Sequence, residues 1–209
     1  MVPPGRARGK GLRMRREGRR RGRAARNPGV RWLCVCFCAA ALSACLHAQE
    51  GNAAKLAPYY PTPETIVGQM LRLGGLKAGE KVFDLGSGDG RIVLMAAQKF
   101  HAYAVGVEID PDLWRQSLAR IVKLGLEKSA RIIHGDLLTQ NYGSADLVTV
   151  YLLPDPINGK VQPLLDRQLK KGARVVAHDF EFRAWTPEKV ENIADDGEGR
   201  SHTLYLYRK

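Results

Sequence analysis

Cysteine is confined to one short segment of the chain. All four cysteines, Cys34, Cys36, Cys38 and Cys45, lie in an apolar run near the start of the sequence. Residues 46–209 contain none, which excludes a disulfide framework, a cysteine-based zinc site and a catalytic thiol there. Three cysteines at alternate positions of an apolar run are more typical of apolar filler than of metal ligands. We therefore predict no metal site.

The second feature in short supply is net charge outside the first residues. The formal charge of the chain is +12, but residues 1–31 hold twelve Lys and Arg residues and one acid, Glu17. Residues 32–209 are left with 21 basic and 20 acidic residues. A nucleic-acid-binding domain is expected to present a basic face. Near neutrality removes that argument, and we predict no nucleic-acid partner.

A long apolar run is also lacking. Residues 32–46 are uncharged, but these 15 residues are fewer than the roughly 20 that a membrane-spanning helix needs. A basic start, an apolar core and small residues at its end are typical of a secretory signal. Residues 1–48 are therefore predicted to be a leader, 49–57 a linker and 58–209 the folded domain. We expect an exported or membrane-associated protein, with organelle targeting as the alternative because the start is rich in arginine and poor in acids.

The fate of the leader stays open. Cleavage after Ala48 would leave Gln49 as the first residue. The run Leu42-Ser43-Ala44-Cys45 resembles a bacterial lipoprotein box, so lipid attachment at Cys45 or a retained anchor at 32–46 are alternatives. The leader is long for a signal, so Met14 is a second candidate start.

The domain is organised around a glycine-rich turn. An apolar strand, 81–85, ends in Asp84-Leu85 and runs into Gly86-Ser87-Gly88-Asp89-Gly90 and a helix. Glycines there let the backbone approach a ligand, and the helix start offers free N–H groups. A dinucleotide fingerprint would need a third glycine at the position of Arg91. An acid at this turn instead suits a ligand with a cationic amino-acid part.

Carboxylates follow the next two predicted strands. Glu108 ends strand 103–108, 20 residues beyond Gly88, where a βαβ unit places the acid that binds a ribose diol. Asp136 follows strand 130–134. It is either a turn or capping residue or an acceptor for an adenine amino group.

The remaining pattern alternates strands and helices, which is typical of an α/β fold. Further strands are predicted over 145–154 and 173–179, with a hairpin near 190–193 and 203–207. Helices are predicted over 63–73, 92–100, 111–126 and 159–171, the first of them capped by Thr62. On the third of these helices, Val122 and Leu124 are predicted to belong to the buried face. Tyr59 and Tyr60, held between prolines, either pack into the core or close over a bound ligand.

The motif Asp84-x-Gly86-x-Gly88-x-Gly90, with Glu108, resembles motif I and the following acid of the class I S-adenosylmethionine-dependent methyltransferases. Together with Pro58 to Pro63, Tyr151-Leu152-Leu153-Pro154 and 172–176, it is similar to one family. That family is the lysine methyltransferases that include the enzymes acting on the ATP synthase c subunit and the adenine nucleotide translocase, with their prokaryotic relatives. A weaker likeness links the motif to the Dot1-type histone lysine methyltransferases.

The resemblance implies a fold and a cofactor. The fold is α/β, a Rossmann-like class I methyltransferase sheet, mostly parallel with an antiparallel C-terminal hairpin strand and helices on both faces. The cofactor is S-adenosylmethionine. The residues implied to bind it are Asp84, Gly86, Ser87, Gly88, Gly90, Glu108 and Asp136.

The resemblance also implies a methyl acceptor, the lysine side chain of a protein. Tyr60, Tyr151 and Pro154 are the candidates to line the acceptor pocket, with Asp155 or His178 beside them. Tyr151-Leu152-Leu153-Pro154 departs from the Asn/Asp-Pro-Pro-aromatic motif of amide and adenine N-methyltransferases, which disfavours a nucleic-acid substrate. A small-molecule methyltransferase, a non-catalytic nucleoside-binding module and a nicotinamide oxidoreductase are the alternatives.

Overall fold

The computed structural model describes residues 55–197 and 199–209. The predictions for the leader, including cleavage, lipid attachment and membrane association through 32–46, lie outside these residues. Among the residues described, no helix is both long enough and apolar enough to cross a membrane.

One seven-stranded sheet forms the centre of the domain, in the order β3-β2-β1-β4-β5-β7-β6. The strands are β1 (Lys81–Leu85), β2 (Tyr103–Glu108), β3 (Ala130–His134), β4 (Leu147–Val150), β5 (Arg174–His178), β6 (Lys189–Ile193) and β7 (His202–Arg208). The first five strands pair in parallel, whereas β7 pairs antiparallel with both β5 and β6. The predicted fold class is therefore confirmed.

The helices connect the strands. They are α1 (Glu64–Leu73), α2 (Arg91–Phe100), α3 (Pro111–Lys123), a 3₁₀ turn (Leu137–Thr139), a helical turn (Pro154–Pro156), a π-helical segment (Ile157–Val161) and α4 (Gln162–Gln168). Asp110 caps α3, because its carboxylate accepts from the backbone N–H groups of Asp112 and Leu113. Pro111 occupies the first helical position, where its missing N–H costs nothing.

Two apolar cores cover the two faces of the sheet. On one face α1 and α2 pack on side chains such as Val82, Leu147 and Val176. On the other, the segment 157–165 packs on neighbouring residues of the same strands, such as Phe83 and Val148. Residues of a strand alternate between faces, so a central parallel strand is apolar on both sides. This arrangement leaves the carboxyl ends of the parallel strands open for a site.

Three local predictions were wrong. Thr62 does not cap α1: Pro63 takes the N-cap position, and the buried Thr62 hydroxyl lies 3.3 Å from His178 Nδ1 instead. Val122 and Leu124, predicted to be buried on α3, are exposed because the buried face runs through Ser117 and Ile121. The last helical region begins at Pro154 rather than near Gly159, since a π-helical turn carries the helix through that glycine.

Candidate active site

A cavity of about 390 Å³ opens at the carboxyl ends of β1, β2 and β4. This is the edge at which open parallel sheets bind ligands. Of the predicted site residues, most line it: Tyr60, Asp84, Gly86, Ser87, Gly88, Glu108, Asp136 and Tyr151. Gly90 and Pro154 are not among the lining residues. Gly90 is the N-cap of α2, and Pro154 begins the helical run after β4.

The glycine turn depends on a backbone that only glycine adopts without strain. Gly86, Gly88 and Gly90 have φ values of 77°, 54° and 77°, all in the left-handed region. At Gly88 space is limiting as well, because an added Cβ would lie 2.7 Å from Cε2 of Tyr59. The tyrosine-proline segment therefore rests directly on the glycine turn. Tyr59 covers the cavity rather than packing into the core, and it remains 47% exposed.

Glu108 joins the turn to strand β2. Its Oε2 accepts from the backbone N–H of Gly88 at 2.6 Å, and its Oε1 accepts from that of Asp110 at 2.8 Å. Each carboxylate oxygen has a further lone pair available. The buried carboxylate is thus held with acceptor capacity to spare at the wall of the cavity.

Asp84 is buried at the end of β1. Its carboxylate accepts from Thr149 Oγ1 at 2.8 Å. Desolvation raises the pKa of Asp84 to about 7, and the Thr149 hydrogen bond opposes that shift only in part. A cationic group in the cavity would favour the ionised form of this carboxyl.

Asp136 has the capping role that the sequence left open for it, and its adenine-acceptor role stays a prediction. Its side chain caps the 3₁₀ turn by accepting from the N–H of Leu138 at 2.8 Å, and the residue also lines the cavity. The turn is anchored from below, because the buried Tyr142 hydroxyl donates to the carbonyl of Leu137 at 2.6 Å.

Arg91 was not predicted as a site residue, although it links two segments that line the cavity. Its guanidinium makes two hydrogen bonds to the Asp89 carboxylate at 2.9 Å and donates to the carbonyl of Thr62 at 2.8 Å. Arg120 of α3 reaches the same carboxylate at 2.7 Å. The arginine that breaks the dinucleotide pattern thus ties the glycine turn to the segment that covers it. The sequence did offer one indication of this role, because Arg91 stands where a dinucleotide motif would have its third glycine.

The far end of the cavity is aromatic and apolar. Tyr60, Tyr151, Leu153 and Phe180 line it. The Tyr151 ring packs 4.0 Å from the His178 ring and 6.3 Å from that of Phe180, measured between centroids. Burial, with the nearby Asp179 carboxylate, raises the pKa of Tyr151 to about 12. The phenol therefore stays neutral at physiological pH.

Behind Tyr151 lies a polar cluster that the sequence did not reveal. The ring nitrogens His178 Nε2 and His202 Nδ1 are 2.8 Å apart, and Asp179 Oδ2 is 3.4 Å from each of them. Burial lowers the pKa of His178 to about 4, so that imidazole is neutral. His178 and His202 come from strands β5 and β7, and only their antiparallel pairing brings them together.

The residues of the cavity fit S-adenosylmethionine on structural grounds. The volume lies in the range of small-molecule sites. The glycine backbone allows a ligand to approach closely. The buried carboxylate of Asp84 offers an anion for an ammonium group, and that of Glu108 offers acceptors for a diol. The Ser87 hydroxyl has no hydrogen-bond partner among the described residues, although it is buried.

Comparison with known proteins gives the family. Residues 84–189 match the ANTKMT methyltransferase domain. A protein-lysine N-methyltransferase of Saccharolobus islandicus is 42% identical over 151 residues, which are 72% of this chain and 92% of that protein. The human lysine N-methyltransferase of the ATP synthase c subunit is 33% identical over 64% of this chain, which spans only 56% of that protein.

A solved structure agrees with the fold and the cofactor. The RNA methyltransferase from Salinibacter ruber, in complex with S-adenosylhomocysteine, is 38% identical with a TM-score of 0.65, and the match covers 71% of this chain and 93% of that one. The predicted methyltransferase class and its cofactor, S-adenosylmethionine, are thereby confirmed. The chain belongs to the ANTKMT methyltransferase domain family.

Proposed function

We propose that the protein transfers a methyl group from S-adenosylmethionine to the side-chain amine of lysine in a protein substrate. The observation that carries this proposal is the lining of the cavity beyond the predicted cofactor residues. Phenol, phenyl and leucine side chains line that end, at Tyr60, Tyr151, Leu153 and Phe180. Such a surface suits an aliphatic stem that ends in an amine.

The charges of the cavity support an amine over a phosphate-bearing substrate. Both basic residues among the described lining are ion-paired: Lys55 with Asp110 at 2.6 Å and Arg91 with Asp89 at 2.9 Å. A nucleic-acid substrate would need cations that are available for phosphates. An ammonium ion, by contrast, is attracted to the faces of tyrosine rings.

The chain's own residues would position the substrate and exclude water. When bound, S-adenosylmethionine supplies a methyl group already activated by its sulfonium, so the protein has mainly to orient the acceptor. A lysine amine, with a reference pKa of about 10.4, must lose its proton before it can attack. The apolar wall at Leu153 and Phe180 disfavours the charged form. The neutral Tyr151 hydroxyl can then hydrogen-bond to the amine.

The names of the relatives refer to two kinds of acceptor. The Saccharolobus and human proteins are named lysine methyltransferases, whereas the Salinibacter protein is named an RNA methyltransferase. RNA is therefore the second candidate, and one experiment separates the two.

The test is a transfer assay with tritiated S-adenosylmethionine on membrane proteins, soluble proteins and total RNA from the source cells, followed by mapping of the labelled site. We expect label on lysine, as mono-, di- or trimethylated amine. Label in RNA or in a small molecule, with none on lysine, would contradict the acceptor while leaving the methyltransferase class intact.

A matched pair of variants ties the result to the aromatic wall. Tyr151→Phe should lower the rate of transfer while S-adenosylhomocysteine still binds. Tyr103→Phe, on an exposed ring of β2, should change neither. Equal rates for Tyr151→Phe and the parent protein would remove the Tyr151 hydroxyl from the proposal.

We also propose, from composition alone, that residues 1–48 direct the domain to a membrane or across it. The basic start and the apolar run at 32–46 support this. Intact-mass measurement of the protein from its own cells should show Gln49 as the first residue or a lipid on Cys45. An unprocessed, unlipidated species found in the soluble fraction would contradict it.

A further inference from the structure

We propose that His178, Asp179 and His202 form a binding site for one divalent transition-metal ion, with Zn²⁺ as the probe, next to the acceptor end of the cavity. This goes beyond the methyltransferase activity and does not depend on which acceptor is used. The sequence predicted no metal site because the domain lacks cysteine. Two histidines and a carboxylate brought together by the sheet are a different ligand set.

The first argument is the spacing of the three donor atoms. His178 Nε2, His202 Nδ1 and Asp179 Oδ2 form a triangle with sides of 2.8, 3.4 and 3.4 Å. Zinc binds nitrogen and oxygen at about 2.0–2.2 Å, so two ligands at a tetrahedral angle lie about 3.3 Å apart and at a right angle about 2.9 Å. The sides of the triangle lie within about 0.1 Å of these separations. One ion can therefore reach all three atoms.

The second argument is the support behind each ligand. His202 Nε2 lies 3.1 Å from Asp196 Oδ2, and His178 Nδ1 lies 3.3 Å from the Thr62 hydroxyl. Asp179 Oδ1 accepts from the N–H of Thr203 at 2.9 Å. Metal-binding histidines commonly donate their other nitrogen to a carboxylate or another oxygen, which orients the ring. All three ligands have such a partner on the atom that faces away from the triangle.

The third argument is the backbone at Asp179. Its φ of 60° lies in the left-handed region, which is uncommon for a residue other than glycine. That conformation directs the carboxylate back toward the two imidazoles. Two imidazoles with one carboxylate on one side of an ion are typical of zinc and of ferrous iron, whereas calcium and magnesium prefer oxygen ligands alone.

A hydrogen-bonded chain without an ion is the alternative arrangement of the same atoms. His202 would donate to Asp196, His178 would donate from Nε2 to His202, and Thr62 would donate to His178. An ion can bind His178 Nε2 only if that nitrogen does not carry the proton that it donates to His202 Nδ1 in the hydrogen-bonded arrangement. On metal binding that proton moves to His178 Nδ1, which then donates to the Thr62 hydroxyl. The Thr62 hydroxyl can rotate to accept it, so His178 Nδ1 keeps its partner in both states.

The experiment measures metal content on the full-length chain. The leader cysteines can also bind such ions, so the series uses a background with Cys34→Ser, Cys36→Ser, Cys38→Ser and Cys45→Ser. The protein is stripped with a chelator and titrated with Co²⁺, whose visible absorption reports its ligands, and then with Zn²⁺ in competition. Elemental analysis after dialysis gives the number of ions per chain. We expect one ion and a rise in Tm on Zn²⁺ addition.

Variants separate a built site from chance binding. His202→Ala and His178→Ala should lose the ion and the rise in Tm, whereas His134→Ala, whose ring stacks on Trp114, should keep both. Asp196→Asn, one step away from the ion, should weaken binding about 10–100-fold. Asp196→Asn therefore still tests the proposal if the alanine variants fail to fold. A folded background protein that retains no ion, or equal ion content in His202→Ala, would overturn the proposal.

Discussion

The Tyr59 ring lies directly over Gly88, so closely that a methyl group at position 88 would come within 2.7 Å of it. The same glycine donates its N–H to Glu108 at 2.6 Å. One residue of the turn therefore contacts both the segment that covers the cavity and the carboxylate in its wall.

Gly88→Ala should impair cofactor binding more than folding. Its positive φ costs alanine about 1–2 kcal/mol of folding stability, and the added Cβ forces the Tyr59 ring to move. We expect at least a tenfold loss of affinity for S-adenosylhomocysteine by calorimetric titration.

Gly79→Ala is the matched control. Gly79 has a φ of 78°, but nothing lies within 4 Å of the Cβ that alanine would add. It should lose similar stability to denaturant and bind S-adenosylhomocysteine as the parent does. If Gly88→Ala also bound normally, the cofactor would not contact this turn.

Glu108→Gln tests the carboxylate while keeping the shape of the side chain. Both carboxylate oxygens accept hydrogen bonds from backbone N–H groups, so in glutamine the side-chain NH₂ group would point at one of those N–H donors. Loss of the charged acceptor should weaken S-adenosylhomocysteine binding by about 1.5–3 kcal/mol. The exposed Glu127→Gln provides the comparison. Unchanged affinity in Glu108→Gln would remove Glu108 from the cofactor site.

The parallel half of the fold could be predicted because its signals are local. The strand at 81–85 is an apolar run ending in an acid and glycines, and the next acid follows at the spacing of a βαβ unit. Cavity residues such as Asp84 and Glu108 belong to those local patterns. Their position along the chain therefore predicted where they lie in space.

The contacts that the sequence did not reveal join distant parts of the chain. His178 meets His202 only through the register of β5 against β7, and no periodicity encodes that register. Thr62 was predicted to cap α1 because threonine before proline is typical of a helix start. The buried His178 offers it a partner instead, so a tertiary contact displaced the local preference.

Tyr142→Phe should lower stability with little direct effect on the cavity wall. The Tyr142 ring is fully buried and its hydroxyl donates to the Leu137 carbonyl, so phenylalanine leaves that carbonyl without its donor. The expected loss is about 1–3 kcal/mol in the free energy of unfolding, measured by urea denaturation. Tyr103→Phe, on an exposed ring, should lose nothing measurable. Equal stability of the two variants would show that the hydrogen bond contributes little.

Cofactor affinity should increase with pH through the titration of Asp84. Burial raises the pKa of this carboxyl to about 7 in the free protein, so below pH 7 it carries a proton that the ammonium group of the cofactor must displace. Each pH unit below 7 should therefore weaken S-adenosylhomocysteine binding by up to about tenfold, or about 1.4 kcal/mol. In the folded protein Asp84 keeps its proton up to about pH 7, whereas in the unfolded chain it releases that proton near pH 4. Stability of the free protein should therefore fall as the pH rises from about 4 to 7.

Asp84→Asn isolates this titration from that of any other group. The variant should bind S-adenosylhomocysteine weakly at every pH, with the slope between pH 5.5 and 7.5 removed. His134→Ala, at the end of β3, should keep the slope of the parent protein. Calorimetric titrations of the three proteins in matched buffers measure both quantities. A slope that survives in Asp84→Asn would assign the titration to another group and leave Asp84 a structural partner of Thr149.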